Sequence, residues 1–184
     1  PFWGFAQSVL FDNKHEDPTL ATMRVQMFTN LAYGAQGLQY FTYWTPVSSA
    51  EDFRGGPITL EGKRTTVYDH IKTLNQEIRS LSGGFYGAKV KSLQFFGNNI
   101  PAGTKRMSVL PSAIKVFATE GKTALVSFME NGGKQFIVIV NTDYRKKMSL
   151  TLSGDSSLKR VLKDGSIVPA SAYASTFDVE AGDV

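Results

Sequence analysis

The chain has 184 residues, 42% of them hydrophobic and 20% charged, with a net charge of +4, and this suits a globular protein of one large or two small domains. There is no cysteine, which excludes disulfides, thiolate metal sites and cysteine nucleophiles; two histidines, His15 and His70, are too few for a histidine-rich metal centre. The basic residues are scattered, which speaks against nucleic acid, and no apolar run is long enough to cross a membrane.

The first half alternates strand and helix. Residues 1–9, apolar and aromatic, read as a buried strand, followed by the polar loop FDNKHEDPT. Asp17-Pro18 reads as a helix start, because the carboxylate accepts from free backbone N–H groups and Pro fits the first helical position. Leu20, Met23, Met27, Leu31 and Ala35 then share one helical face, so the two methionines read as core. Gly34 suits the left-handed residue after a helix, and residues 38–44 (LQYFTYW) read as a second strand. A long polar loop, 45–64, leads to Thr66-Val67-Tyr68-Asp69, which fits a capping box. Val67, Ile71, Leu74, Ile78 and Leu81 line one face of the helix that follows, and Gly83-Gly84 is expected to stop it.

Beyond residue 84 the period changes. Segments 90–96, 114–119, 124–130, 136–141, 148–152 and 158–162 read as strands, with hairpin turns at Asn131-Gly132-Gly133 and Asp164-Gly165. Arg145-Lys146-Lys147 reads as a solvated hairpin tip, and the closing VEAGDV as the approach to a further strand. This half is expected to be an antiparallel β-sandwich. The strand–helix units of the first half imply parallel strands, which need cover on both faces and more than two members. A (β/α)8 barrel meets both needs and places its ligand site at the C-terminal strand ends. Those ends are Gln7-Ser8 and Tyr43-Trp44, and the loop 45–64 leaves from the same edge.

RVQMFTNLAYGAQGLQYFTYW resembles the last helix–strand passage of β-galactosidase-like (β/α)8 glycoside hydrolases, and PFWGFAQS resembles the strand before it. The tail, with VNTDYRKKMSLTL and LKDGSI, is similar to the β-sandwich appended to many such enzymes. The resemblance implies the C-terminal part of a TIM barrel over residues 1–83 and a sandwich over 84–184, with the N-terminal part of the same protein lying outside this sequence. It implies carbohydrate as the partner, no cofactor, and a secreted or periplasmic location. Retaining enzymes of this kind use two carboxyl groups about 5–5.5 Å apart. The resemblance puts the acid/base upstream of this chain and the nucleophile as a Glu just before a Gln at the end of the seventh strand. Here Ala6 stands before Gln7, so no catalytic residue is assigned. The expected function is that of a glycoside hydrolase fragment with its carboxylates upstream. The alternative is a barrel that binds carbohydrate and has lost the nucleophile.

The expected substrate-binding residues are Trp44, Gln7, Tyr43 and His15. Trp44 offers a flat face on which a sugar can stack; otherwise it closes the barrel top. Tyr43 is open to the same two readings, and strand alternation sends it to the side opposite Trp44. Gln7 either bonds sugar hydroxyls or orders a loop. His15 contacts substrate or is a solvated loop residue. Glu16, Glu51 and Asp52 are weaker carboxylate candidates, and Trp3, Phe5, Tyr40 and Phe41 read as packing. His70 reads as structural, and no nucleotide-binding glycine motif is present.

Overall fold

The computed structural model describes residues 1–12, 16–170 and 176–184. Strand β1 (Trp3–Gln7) leads through helix α1 (Leu20–Ala32) to β3 (Gly37–Phe41), and β1 pairs with β3 in parallel, from Trp3 opposite Gly37 to Gln7 opposite Phe41. The two strands therefore end side by side, as the strand–helix–strand reading requires. Two short strands, β2 (Leu10–Phe11) and β4 (Phe53–Arg54), pair antiparallel and tie together the loops that leave β1 and β3. Helix α2 (Thr66–Ser80) and the single turn α3 (Ser82–Phe85) close this half.

The helix boundaries differ from the sequence expectations for local reasons. The cap of α1 is Thr19, whose side chain accepts from Thr22 N at 3.2 Å. Asp17 instead offers its backbone carbonyl to Thr19 N and to the Thr22 hydroxyl, at 2.8 and 2.7 Å, so residues 17–19 form a turn ahead of the helix. The capping box at 66–69 does not form. Thr65 is the cap of α2, and its hydroxyl donates to the Gly56 and Pro57 carbonyls rather than serving the helix. At the other end of α1 the expectation holds: Gly34 takes φ +94° and its N–H meets Leu31 O at 2.9 Å. Gly83 and Gly84 do not halt the chain but lie inside α3, because α2 already ends at Ser80.

Among the described residues, the second half holds two three-stranded antiparallel sheets. One is ordered β5 (Lys89–Phe96), β7 (Ala124–Asn131), β8 (Lys134–Asn141); the other is β12 (Thr176–Val179), β9 (Met148–Gly154), β6 (Ile114–Ala118). A small hairpin, β10 (Lys159–Val161) with β11 (Ile167–Pro169), turns at Asp164-Gly165. The turn between β7 and β8 falls on Gly132 and Gly133, both at positive φ. β12 ends at Val179, and Gly182 turns the chain so that its N–H reaches Asp143 O.

β7 is apolar on both faces, and that decides how the layers stack. Ala124 and Val126 join Phe117, Met148, Leu150 and Val179 in the core between the two sheets. Leu125 and Met129 point the other way, into a core shared with Met23, Met27, Phe28 and Leu31 of α1, Leu74 of α2, and Ala6 of β1. One buried core thus crosses the expected boundary near residue 84. The parallel pair is covered by helix on one face only. On the other face Trp3 and Phe5 are 65% and 60% exposed, so the packing expected for them is not supplied by the described residues.

Candidate functional site

The parallel pair and its alternation set which side chains reach the candidate site. In β1, Gly4 and Ala6 face the helices, while Trp3 and Phe5 face outward. Ala6 is buried to 1% exposure in the helix-facing core, so a side chain at that position points away from the open face. The positions of β1 that can serve the open face near its end are Phe5 and Gln7.

The strand ends are locked together. Ser8, fully buried, donates its N–H to Phe41 O and its hydroxyl to Thr42 O, both at 2.7 Å. The Phe41–Thr42 peptide is cis. β3 stops at Phe41, short of the expected end at Trp44, so strand alternation does not apply to the last two aromatics. Tyr43 and Trp44 follow in a bend just past the strand end, 73% and 60% exposed, and the Thr42 hydroxyl donates to Trp44 O. Thr45 then re-enters the protein. It is buried, bonded to Ile58 O through its N–H, and accepts from Gly56 N at 3.0 Å. Trp44 and Tyr43 are therefore the exposed tip of a segment fixed at both sides.

Gln7 is partly buried, and its side-chain amide donates to Val9 O at 3.0 Å and Glu16 O at 3.4 Å, while its backbone N–H goes to Gln26 Oε1. Of the two readings for Gln7, the structure displays the loop-ordering bonds. His15 lies outside the described residues. Glu16 is not left facing a cleft: its carboxylate accepts from the Tyr144 hydroxyl at 2.9 Å and from the Arg145 guanidinium. The tip Arg145-Lys146-Lys147 is exposed as expected, and in addition to the Arg145–Glu16 pair Lys147 pairs with Asp178 at 2.5 Å. Asp52 pairs with Arg54 at 3.6 Å, and Glu51 is exposed.

Two of the aromatics at this edge carried no signal as site residues in the sequence. Phe11 and Phe53, from the two loops, form a trio with Phe41, with ring centroids 5.7 to 6.4 Å apart and tilted or edge-to-face geometry. Phe53 is a lone apolar residue in a polar stretch, and that isolation was the available clue; Phe11 simply continues the apolar run of Val9 and Leu10. Phe41, expected in the core, is 43% exposed because this trio is its packing. Tyr40 faces the helices instead, and its hydroxyl donates to Asn75 Oδ1 at 2.9 Å; burial pushes its ionisation well above the ordinary tyrosine value. His70 is partly buried, with Nδ1 unbonded. Among the described residues no group of three or more His, Asp or Glu is placed to hold a metal ion.

Two open depressions lie elsewhere on the described surface. One, of about 340 Å³, is lined by Leu81, Phe136, Val161 and Ile167, among others, and another, of about 440 Å³, by residues such as Asn99, Lys122 and Asp143. Neither includes Gln7, Tyr43 or Trp44, because the candidate site is the open edge of a two-stranded sheet and not a closed cleft.

Residues 1–81 match the family of glycoside hydrolase 42, β-galactosidase. The matched stretch holds both parallel strands and both long helices, and it is related to the glycoside hydrolases; it is a little under half of the 184 residues. No curated protein and no solved structure matches the chain. The described helices include none long and apolar enough to cross a membrane.

Proposed function

We propose that this chain is the C-terminal part of a carbohydrate-active glycoside hydrolase, with residues 1–83 forming the last two strand–helix units of a (β/α)8 barrel and residues 84–184 its sandwich. The observation that carries this reading is the parallel pairing of β1 with β3, strand ends aligned, inside the stretch that matches the β-galactosidase family. The open face of that pair, with Trp3 and Phe5 exposed, has the apolar character of a surface that further barrel strands would cover. The sugar then lies at the strand ends, with Trp44 as its stacking platform, Tyr43 beside it, and Gln7 and the loop containing His15 at the rim. The two catalytic carboxyl groups come from upstream strands. The protein acts on glycosidic bonds of oligo- or polysaccharides outside the cytoplasm, in a secreted or periplasmic form.

The experiment uses the full-length protein with lactose as the probe. Trp44→Ala should weaken lactose binding about two- to ten-fold, the range of one aromatic contact. The urea midpoint should not move, because the side chain is exposed. Unchanged affinity would remove Trp44 from the site, and no lactose binding by the wild type would count against a galactoside as the ligand.

A second reading, a barrel that binds sugar without cleaving it, is favoured by one observation. The residue before Gln7 is an alanine buried against the helices, so the nucleophile expected by resemblance is not supplied there. Turnover of a nitrophenyl β-galactoside by the full-length protein decides between the two.

A further inference from the structure

The connection between β8 and β9 is built more firmly than an exposed turn requires. Asn141 is fully buried, and its side-chain amide donates to the Lys146, Val179 and Glu180 carbonyls at 2.9, 3.3 and 3.0 Å. Its carbonyl oxygen accepts from Asp143 N at 3.1 Å. Asp143 in turn accepts from the N–H groups of Arg145 and Lys146, at 2.9 and 3.1 Å, and pairs with Lys122 at 3.5 Å. The turn is thereby fixed to the sandwich core, and it presents Tyr144 and Arg145 as a unit, with the guanidinium 4.9 Å from the Tyr144 ring centre.

Both groups of that unit bind one oxygen, Oε1 of Glu16. Glu16 belongs to the loop leaving β1, and its backbone carbonyl accepts from the side chain of Gln7 at the strand end. A chain of contacts thus runs from the buried Asn141 through the turn to Glu16 and on to Gln7. We infer that Tyr144 and Arg145 are positioning residues, through which the sandwich holds the rim of the candidate sugar site in place. The consequence for sugar binding rests on the function proposed above; the clasp itself does not.

The test uses Arg145→Glu and the double variant Glu16→Arg/Arg145→Glu, in the full-length protein. Amide hydrogen exchange at Thr19, whose N–H is bonded to Asp17 O, should be about two- to five-fold faster in Arg145→Glu, the size of effect an exposed ion pair supports. The charge-reversed double variant should restore it, which a general loosening would not. Unchanged exchange in the single variant, or no recovery in the double, overturns the clasp. Lactose affinity, measured on the same proteins, should fall and recover in parallel. A wild type that binds no lactose would sink the proposed ligand, while the exchange data still decide the clasp. Exchange that responds while lactose affinity stays constant would overturn the positioning role.

Discussion

Tyr40 and Phe41 are neighbours with opposite environments, and the difference follows from the pleat. Tyr40 turns toward α2 and spends its hydroxyl on Asn75; Phe41 turns to the loop aromatics. The sequence reading put both in the core, because alternation cannot tell which face of a strand is covered when the covering element comes from elsewhere. It ran the strand on to Trp44, whereas β3 stops at Phe41 and Tyr43 and Trp44 lie in the bend beyond it. Tyr40→Phe should cost about 1 kcal/mol, the typical net value of one hydrogen bond, measured by urea unfolding at neutral pH. Tyr40 also makes the fold alkali-sensitive. Its folded-state pKa is raised by burial, so the unfolded chain ionises first. Stability is full below the ordinary tyrosine pKa of about 10 and is lost as pH rises through and beyond that value. In Tyr40→Phe that part of the alkaline loss should vanish.

At the scale of elements, hydrophobic spacing located both long helices and the main strands, because burial on a fixed face is written in the sequence period. The caps were not legible in the same way. Asp17, Thr19, Thr65 and Thr66 are all plausible cap residues by type, and only the competing bonds of the folded loops decide among them. Thr19→Ala should therefore destabilise the protein by about 1 kcal/mol. Asp17→Ala should cost less, since its contribution comes from a backbone carbonyl that alanine retains. Thermal or urea unfolding of the two variants separates the assignments. The short strands β2, β4 and β11 escaped the reading for a related reason: two or three residues carry no period, and pairing alone makes them strands.

For the molecule as a whole, the two halves are joined by charge as well as by apolar contact. Arg24 of α1 pairs with Glu77 of α2 and lies 3.7 Å from Asp183 near the C-terminal end. Lys163, from the β10–β11 turn, reaches Asp183 and Glu77 and sits 4.2 Å from the centre of the Phe28 ring. Burial pulls the Arg24 pKa down, but the bond to Glu77 and the nearby carboxylates outweigh it, and the group is held above its ordinary value. Removing Glu77 takes a charge-assisted bond from Arg24 and leaves Arg24 and Lys163 to share Asp183, so Glu77→Ala should cost about 1.5–3 kcal/mol. The exposed pair Lys91–Glu130, at 2.7 Å, is the control: Glu130→Ala should cost at most about 1 kcal/mol. Denaturant midpoints of the two variants measure the contrast. None of this network could be read from spacing, since its members lie up to 159 residues apart, from Arg24 to Asp183.

The sharing of α1 between the parallel strands and β7 also bears on how such a protein can be taken apart. A tail that began at residue 84 would carry a raw greasy flank of Leu125, Met129, Val138 and Val140, shorn of the methionines that normally blanket it. Recombination that grafts this sandwich onto a foreign host would have to bring the helix as well, so inheritance of the two halves as one piece is the cheaper route.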